Sequence, residues 1–175
     1  MKELFRSLLR RLAAPLRRRY RQRNGVDMHE ERKELPNDVL LGLVRSYMQE
    51  GHTATISVKG VSMRPFLEHE RDKVELAPCS EVHDYDAVLA EITPGHYVLH
   101  RVIAIEGDRV TLMGDGNVRG TENCRLRDVV GVVTKYIRPR RTILASDPQL
   151  QRRIRQWRTL LPIRRYLLFV YKELI

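Results

Sequence analysis

Six short runs rich in β-branched and aliphatic residues lie between residues 54 and 133, separated by turn-forming residues, and this rhythm constrains the fold more than any other feature. They are Ala54-Thr-Ile-Ser-Val58, Lys73-Val-Glu-Leu76, Ala87-Val-Leu-Ala-Glu-Ile92, the long run from His96 to Ile105, Arg109-Val-Thr-Leu-Met113 and Val129-Val-Gly-Val-Val133. Short strands at such close spacing predict a mainly β protein, a coiled antiparallel sheet or small barrel. Gly107-Asp108 supplies the turn of a tight hairpin, and Thr93-Pro-Gly95 marks a second turn. Aromatic residues make up only 6% of the chain, so the core of this sheet must be mainly aliphatic.

Helical periodicity brackets the β region. Leu4, Phe5, Leu8, Leu9, Leu12 and Leu16 recur at helical intervals among arginines, which predicts a basic amphipathic helix kinked or ended by Pro15. A second helix is expected from Pro36-Asn37-Asp38, where Asn37 or Asp38 can cap it, to Gly51, with Val39, Leu40, Leu43, Val44, Tyr47 and Met48 on its packing side. After Pro139 the chain reads as helical and basic again. The expected organisation is a basic helix and linker over residues 1–35, a β domain with a leading helix over 36–137, and a basic helical extension over 138–175.

Charge follows the same division. Residues 1–24 carry nine Lys+Arg and one acid, residues 25–134 twelve and nineteen, and residues 135–175 eleven and two, which sum to the net charge of +10. An acidic body argues against a DNA-binding globule, since the part expected to fold as a core would repel phosphate. The basic amphipathic ends suit either capping of the β domain or dimerisation, or an anionic membrane surface reached reversibly. No apolar run approaches the ~18 residues of a membrane-spanning helix, and no secretion-signal pattern is present. The expectation is a cytoplasmic chain with peripheral attachment to the inner face of the membrane. Cys79 and Cys124 form neither a CxxC pair nor a disulfide framework and read as reduced thiols. None of the six histidines belongs to an HExxH or Cys/His cluster, so neither a metal nor a cofactor is expected.

Three residues stand out for chemistry. Ser62, in Lys59-Gly-Val-Ser-Met-Arg-Pro-Phe-Leu67, lies between a predicted strand and a Met-Arg-Pro turn. It is either a turn residue or a nucleophile. A serine hydroxyl needs a neighbouring base to take its proton, and His96 and His100 are the two histidines on a predicted strand, on one face because their separation is even. Asp115, in Leu112-Met-Gly-Asp-Gly-Asn117, is either a turn-forming aspartate or a carboxylate that holds an imidazole in one tautomer.

In order along residues 53 to 135, Val58-Lys-Gly-Val-Ser-Met-Arg-Pro-Phe-Leu67, Arg71-Asp-Lys-Val-Glu-Leu76, Tyr85-Asp-Ala-Val-Leu-Ala-Glu91, Tyr97-Val-Leu-His-Arg-Val-Ile103, Thr111-Leu-Met-Gly-Asp-Gly-Asn117 and Asp128-Val-Val-Gly-Val-Val133 resemble the superfamily of serine peptidases that contains signal peptidase I and the LexA-type self-cleaving repressors. The resemblance implies the signal-peptidase/LexA type of β fold, with Ser62 as nucleophile, His100 as general base and Asp115 supporting it. Asp72 and Asp86 match framework carboxylates. Histidine rather than lysine as the base is similar to the endoplasmic-reticulum and archaeal signal peptidases, and it titrates near neutrality with little tuning. Gly60 offers no hydroxyl two positions before the nucleophile, which leaves an oxyanion to the backbone N–H groups of Ser62 and Met63. No Ala-Gly dipeptide and no helix-turn-helix are present, which excludes a self-cleaving repressor.

The function expected on this basis is a serine endopeptidase that cuts an extended peptide, a leader or precursor peptide, with no cofactor. A non-catalytic module that keeps the peptide groove is the alternative. A nucleic-acid-associated protein would have the arginines but lacks interleaved aromatics and a reader fold.

Overall fold

In the computed structural model the described residues are 37–79 and 81–174, so the predicted N-terminal basic helix and linker lie outside them. Helix α1 (Asn37–Gln49) leads into strands β1 (Ala54–Ser57), β2 (Lys73–Ala77), β3 (Ala87–Thr93), β4 (His96–Glu106), β5 (Arg109–Met113), β6 (Glu122–Arg125), β7 (Val129–Arg138) and β8 (Arg141–Leu144). Helices α2 (Pro148–Thr159) and α3 (Arg164–Leu174) follow, joined by a single 3-10 turn at Leu161–Ile163.

All strand pairs are antiparallel, in the order β1-β2-β7-β3-β4-β5-β6, with β8 paired to β7 as a hairpin. The fold is therefore mainly β, with helices at its margins. Among the described residues β1 and β6 are not paired to each other, so the sheet is open and the barrel alternative does not hold. The sheet does coil. The loop after β1 touches the turn after β5, near the opposite end of the strand order, through a Gly116 N–H to Ser62 carbonyl hydrogen bond.

Period-two alternation explains how the sheet buries both faces. In β3, Ala87 and Leu89 join one core with Val74, Leu76, Val133, Tyr136 and Met63, while Val88 and Ala90 join a second core with Val102, Val110, Leu112 and Cys124. A continuous apolar run is what a strand covered on both sides requires. Helix α1 caps the first core through Val44 and Met48, one helical turn apart. Leu150 and Ile154 of α2 enter the same core. The Asp147 carboxylate caps α2 by accepting from Leu150 N–H at 2.8 Å.

Two strands depart from the sequence expectation. Residues 141–144 form β8 where a helix was expected, because Arg138↔Arg141 to Lys135↔Leu144 pairing with the extended β7 gives that segment its backbone partners. Beyond this point α2 and α3 are helical and basic, as expected, but they are bonded into the body rather than appended to it. Strand β6 was not anticipated, since Glu122-Asn-Cys-Arg125 has a single buried side chain, Cys124. No described helix is long and apolar enough to cross a membrane.

Candidate active site

Ser62 sits in a tightly folded loop. Gly60 adopts φ +88°, a left-handed conformation suited to glycine, and its N–H donates to His69 Nδ1 at 3.0 Å. Beyond Ser62, Phe66 N–H and Leu67 N–H both donate to the Met63 carbonyl, at 3.1 and 3.0 Å, and the Arg64–Pro65 bond is cis. Met63 is buried in the first core, whereas Ser62 is half-buried and Val61 exposed. The side chain of Met63 thus anchors the loop, and Ser62 lies at its rim.

The Gly114-Asp-Gly116 turn fixes the other side of Ser62. Gly116 N–H donates to the Ser62 carbonyl at 2.6 Å. A methyl group on Gly114 would fall 2.6 Å from that same carbonyl oxygen, and one on Gly116 would fall 2.6 Å from the Val61 carbonyl oxygen. Both positions require glycine because two backbones touch there.

The sequence expectation that Asp115 holds His100 is corrected by the geometry. Asp115 gives both carboxylate oxygens to Arg101, with contacts of 2.5 Å to Nη2 and 3.1 and 3.2 Å to Nε. Arg101 also donates to the Tyr85 carbonyl at 2.9 Å and to Tyr136 Oη at 3.1 Å. Burial opposes the charge on Arg101, but Asp115 and Tyr136 outweigh it and hold the guanidinium ionised. Adjacent strand residues face opposite sides of a sheet, so a carboxylate committed to Arg101 is turned from His100. Asp115 instead locks the turn that contacts Ser62.

The carboxylate at His100 belongs to Glu122, which the sequence reading missed. His100 Nδ1 lies 2.8 Å from Glu122 Oε2, and the histidine side chain is only 6% exposed. Register explains the meeting: Val102 pairs with Leu112 and Leu112 with Glu122, and His100 shares the face of Val102. With Nδ1 directed at a carboxylate, the tautomer is set and Nε2 is the nitrogen left to accept a proton. Among the described residues no hydrogen bond joins the Ser62 hydroxyl to His100.

The remaining expected residues have structural roles. Asp72, fully buried, accepts from Glu68 N–H at 2.9 Å and from the adjacent Arg71 at 2.7 Å, while Asp86 accepts from His83 N–H at 2.9 Å. His96 is exposed at the start of β4. Cys79 and Cys124 are free thiols, and burial, with help from Asp128 and Asp108, pushes Cys124 up to about 11. Among the described residues no group of three His, Cys, Asp or Glu side chains could hold a metal ion.

The C-terminal helices buttress these loops. Trp157 Nε1 donates to the Asp115 carbonyl at 2.8 Å, and Arg164 donates to the Asn117 carbonyl at 3.1 Å. Tyr171 Oη lies 2.7 Å from Glu68 Oε1, and Glu68 also binds Arg64 at 2.9 Å, which ties α3 to the Ser62 loop. Burial, and then Glu68, push the Tyr171 phenol well above its usual range, so it remains a donor.

Compared with protein-family models and with curated proteins, the chain matches none.

Proposed function

We propose that the protein is a serine endopeptidase, resembling the signal peptidases, that cuts an extended peptide with Ser62 as nucleophile and His100 as general base. The observation that carries this reading is the buried His100–Glu122 pair, with Nδ1 engaged at 2.8 Å, on the strand beside the arginine that locks the Ser62 turn. A lone buried histidine would be a costly way to fill a core, whereas a carboxylate-oriented imidazole stabilises the protonated form that base catalysis generates.

In this reading Ser62 Oγ attacks the scissile carbonyl carbon while its proton passes to His100 Nε2. The carbonyl oxygen becomes an oxyanion, for which the N–H groups of Ser62 and Met63 are the candidate donors. Collapse of the tetrahedral intermediate breaks the C–N bond, and the proton held on His100 goes to the leaving amine. Water then attacks the acyl-serine with His100 again taking the proton, releasing the acid and restoring Ser62. Glu122 orients the ring. Asp115 and Arg101 act as positioning residues through the Gly114–Gly116 turn. An extended substrate could add to the edge of β1 that is unpaired among the described residues and runs directly into the Ser62 loop.

A peptide-binding module without catalysis is the second reading, favoured by the unmade Ser62–His100 hydrogen bond. Incubating a peptide library with the wild type, Ser62→Ala and Glu122→Gln and mapping new termini separates the two. The peptidase reading expects cuts by the wild type, none by Ser62→Ala, and a rate lowered by roughly a hundredfold or more in Glu122→Gln. Peptides retained by all three and cut by none would overturn it in favour of the module.

A further inference from the structure

A cavity of about 820 Å³ opens between the β7–β8 hairpin and α2, a size that would hold a small organic molecule. Its lining includes Arg138, Arg141 and Arg153 and the apolar residues Phe66, Leu144, Trp157 and Leu160. Asp147 is the one carboxylate in the lining, and it is occupied in capping α2.

Among the described residues no carboxylate forms an ion pair with the three arginines of this lining. Arg138 gives one Nη to the Phe66 carbonyl at 2.8 Å, but its buried Nε has no hydrogen-bond partner. Burial draws the Arg138 pKa down; Asp72 opposes the fall, and the neighbouring Arg141 adds to it. Among the described residues Arg141 and Arg153 are exposed and form no ion pair. Three guanidiniums exceed the charge of one carboxylate, whereas a phosphate monoester carries about −1.5 to −2 near neutrality and presents three acceptor oxygens. Leu144 and Leu160, both exposed, offer an apolar wall to whatever the phosphate is attached to.

We propose that the cavity between the β7–β8 hairpin and α2 binds a phosphate monoester with an apolar body, held by Arg138, Arg141 and Arg153. Both a soluble phosphoester and a lipid headgroup have this chemistry. Because Arg138 holds the Phe66 carbonyl, occupancy would also brace the loop that presents Ser62, although binding itself does not depend on catalysis.

Trp157 is the only tryptophan in the chain and lines the cavity, so its fluorescence reports the site directly. The full-length protein would be titrated with monomeric dihexanoyl phosphatidic acid, inorganic phosphate, dihexanoyl phosphatidylcholine, and vesicles containing long-chain phosphatidic acid. The expected result is a saturable change with dihexanoyl phosphatidic acid, at least tenfold weaker binding of inorganic phosphate, and none of the phosphatidylcholine. An equal response to the vesicles assigns a lipid headgroup, and a response to the monomer alone assigns a soluble ester. Arg141→Gln/Arg153→Gln should weaken binding at least tenfold while leaving the fold intact, since both side chains are exposed. Arg125→Gln/Arg127→Gln, which removes the same charge elsewhere, should not. No saturable signal, equal affinity for inorganic phosphate, or equal weakening by the two double variants would overturn the proposal.

Discussion

Gly116→Ala tests whether contact between two backbones sets the position of Ser62. The added methyl would lie 2.6 Å from the Val61 carbonyl oxygen and 3.2 Å from that of Ser62. Carbon–oxygen contacts settle at about 3.3 Å or more, so one backbone must retreat by about 0.7 Å. The 2.6 Å hydrogen bond from Gly116 to Ser62 would stretch with it. A displacement near 1 Å at a reacting centre costs about a hundredfold in rate, so kcat/KM on a cleaved peptide should fall by roughly tenfold to a hundredfold. Crowding of this kind should also lower stability by about 1–3 kcal/mol in urea denaturation. Gly42→Ala is the control, because it lies in α1 with nothing within 4 Å. It should leave kcat/KM unchanged and gain up to about 1 kcal/mol from helix propensity. Wild-type activity and stability in Gly116→Ala would refute the argument.

Asp115→Asn leaves the buried Arg101 charge without its counter-ion and should cost about 3–5 kcal/mol in urea denaturation, whether or not activity is measured. Glu75 is held below the usual carboxylate range by its hydrogen bonds from Lys135 and Thr134. Its contribution is therefore present above the unfolded pKa and is lost as pH falls through the folded one, so Glu75→Gln should flatten the loss of stability below about pH 4.3. Cys124, with its pKa pushed up to about 11 by burial, should react with iodoacetamide at pH 8 roughly a hundredfold more slowly in the folded protein than in urea, as followed by mass spectrometry.

Much of the β framework is legible in the sequence because its strands bury alternate or continuous apolar residues. Lys73-Val-Glu-Leu76 shows the two-residue period, and Ala87-Val-Leu-Ala90 shows the unbroken run of a strand covered on both faces. Strands β6 and β8 are not legible, since each spans only four residues and buries at most one side chain, so that pairing rather than an apolar pattern places them. The missing β6 is also why Glu122 escaped notice: its place beside His100 depends on the Leu112↔Glu122 register, a long-range fact. Asp115 was misassigned as the partner of His100 because spacing does not reveal that Arg101, one residue on and facing the other side, claims both its oxygens. The bonds from Trp157, Arg164 and Tyr171 to the site loops likewise join residues far apart in the chain.

Trapping the acyl-enzyme tests the central claim most directly. The purified protein would be mixed with acetyl-alanine p-nitrophenyl ester, quenched in acid, digested and mapped by mass spectrometry, alongside Ser62→Ala and His100→Gln. The account predicts an acyl mass increment on the peptide containing Ser62 in the wild type, a strongly reduced one in His100→Gln and none in Ser62→Ala. An increment on another residue, or equal ester hydrolysis by Ser62→Ala, would contradict it.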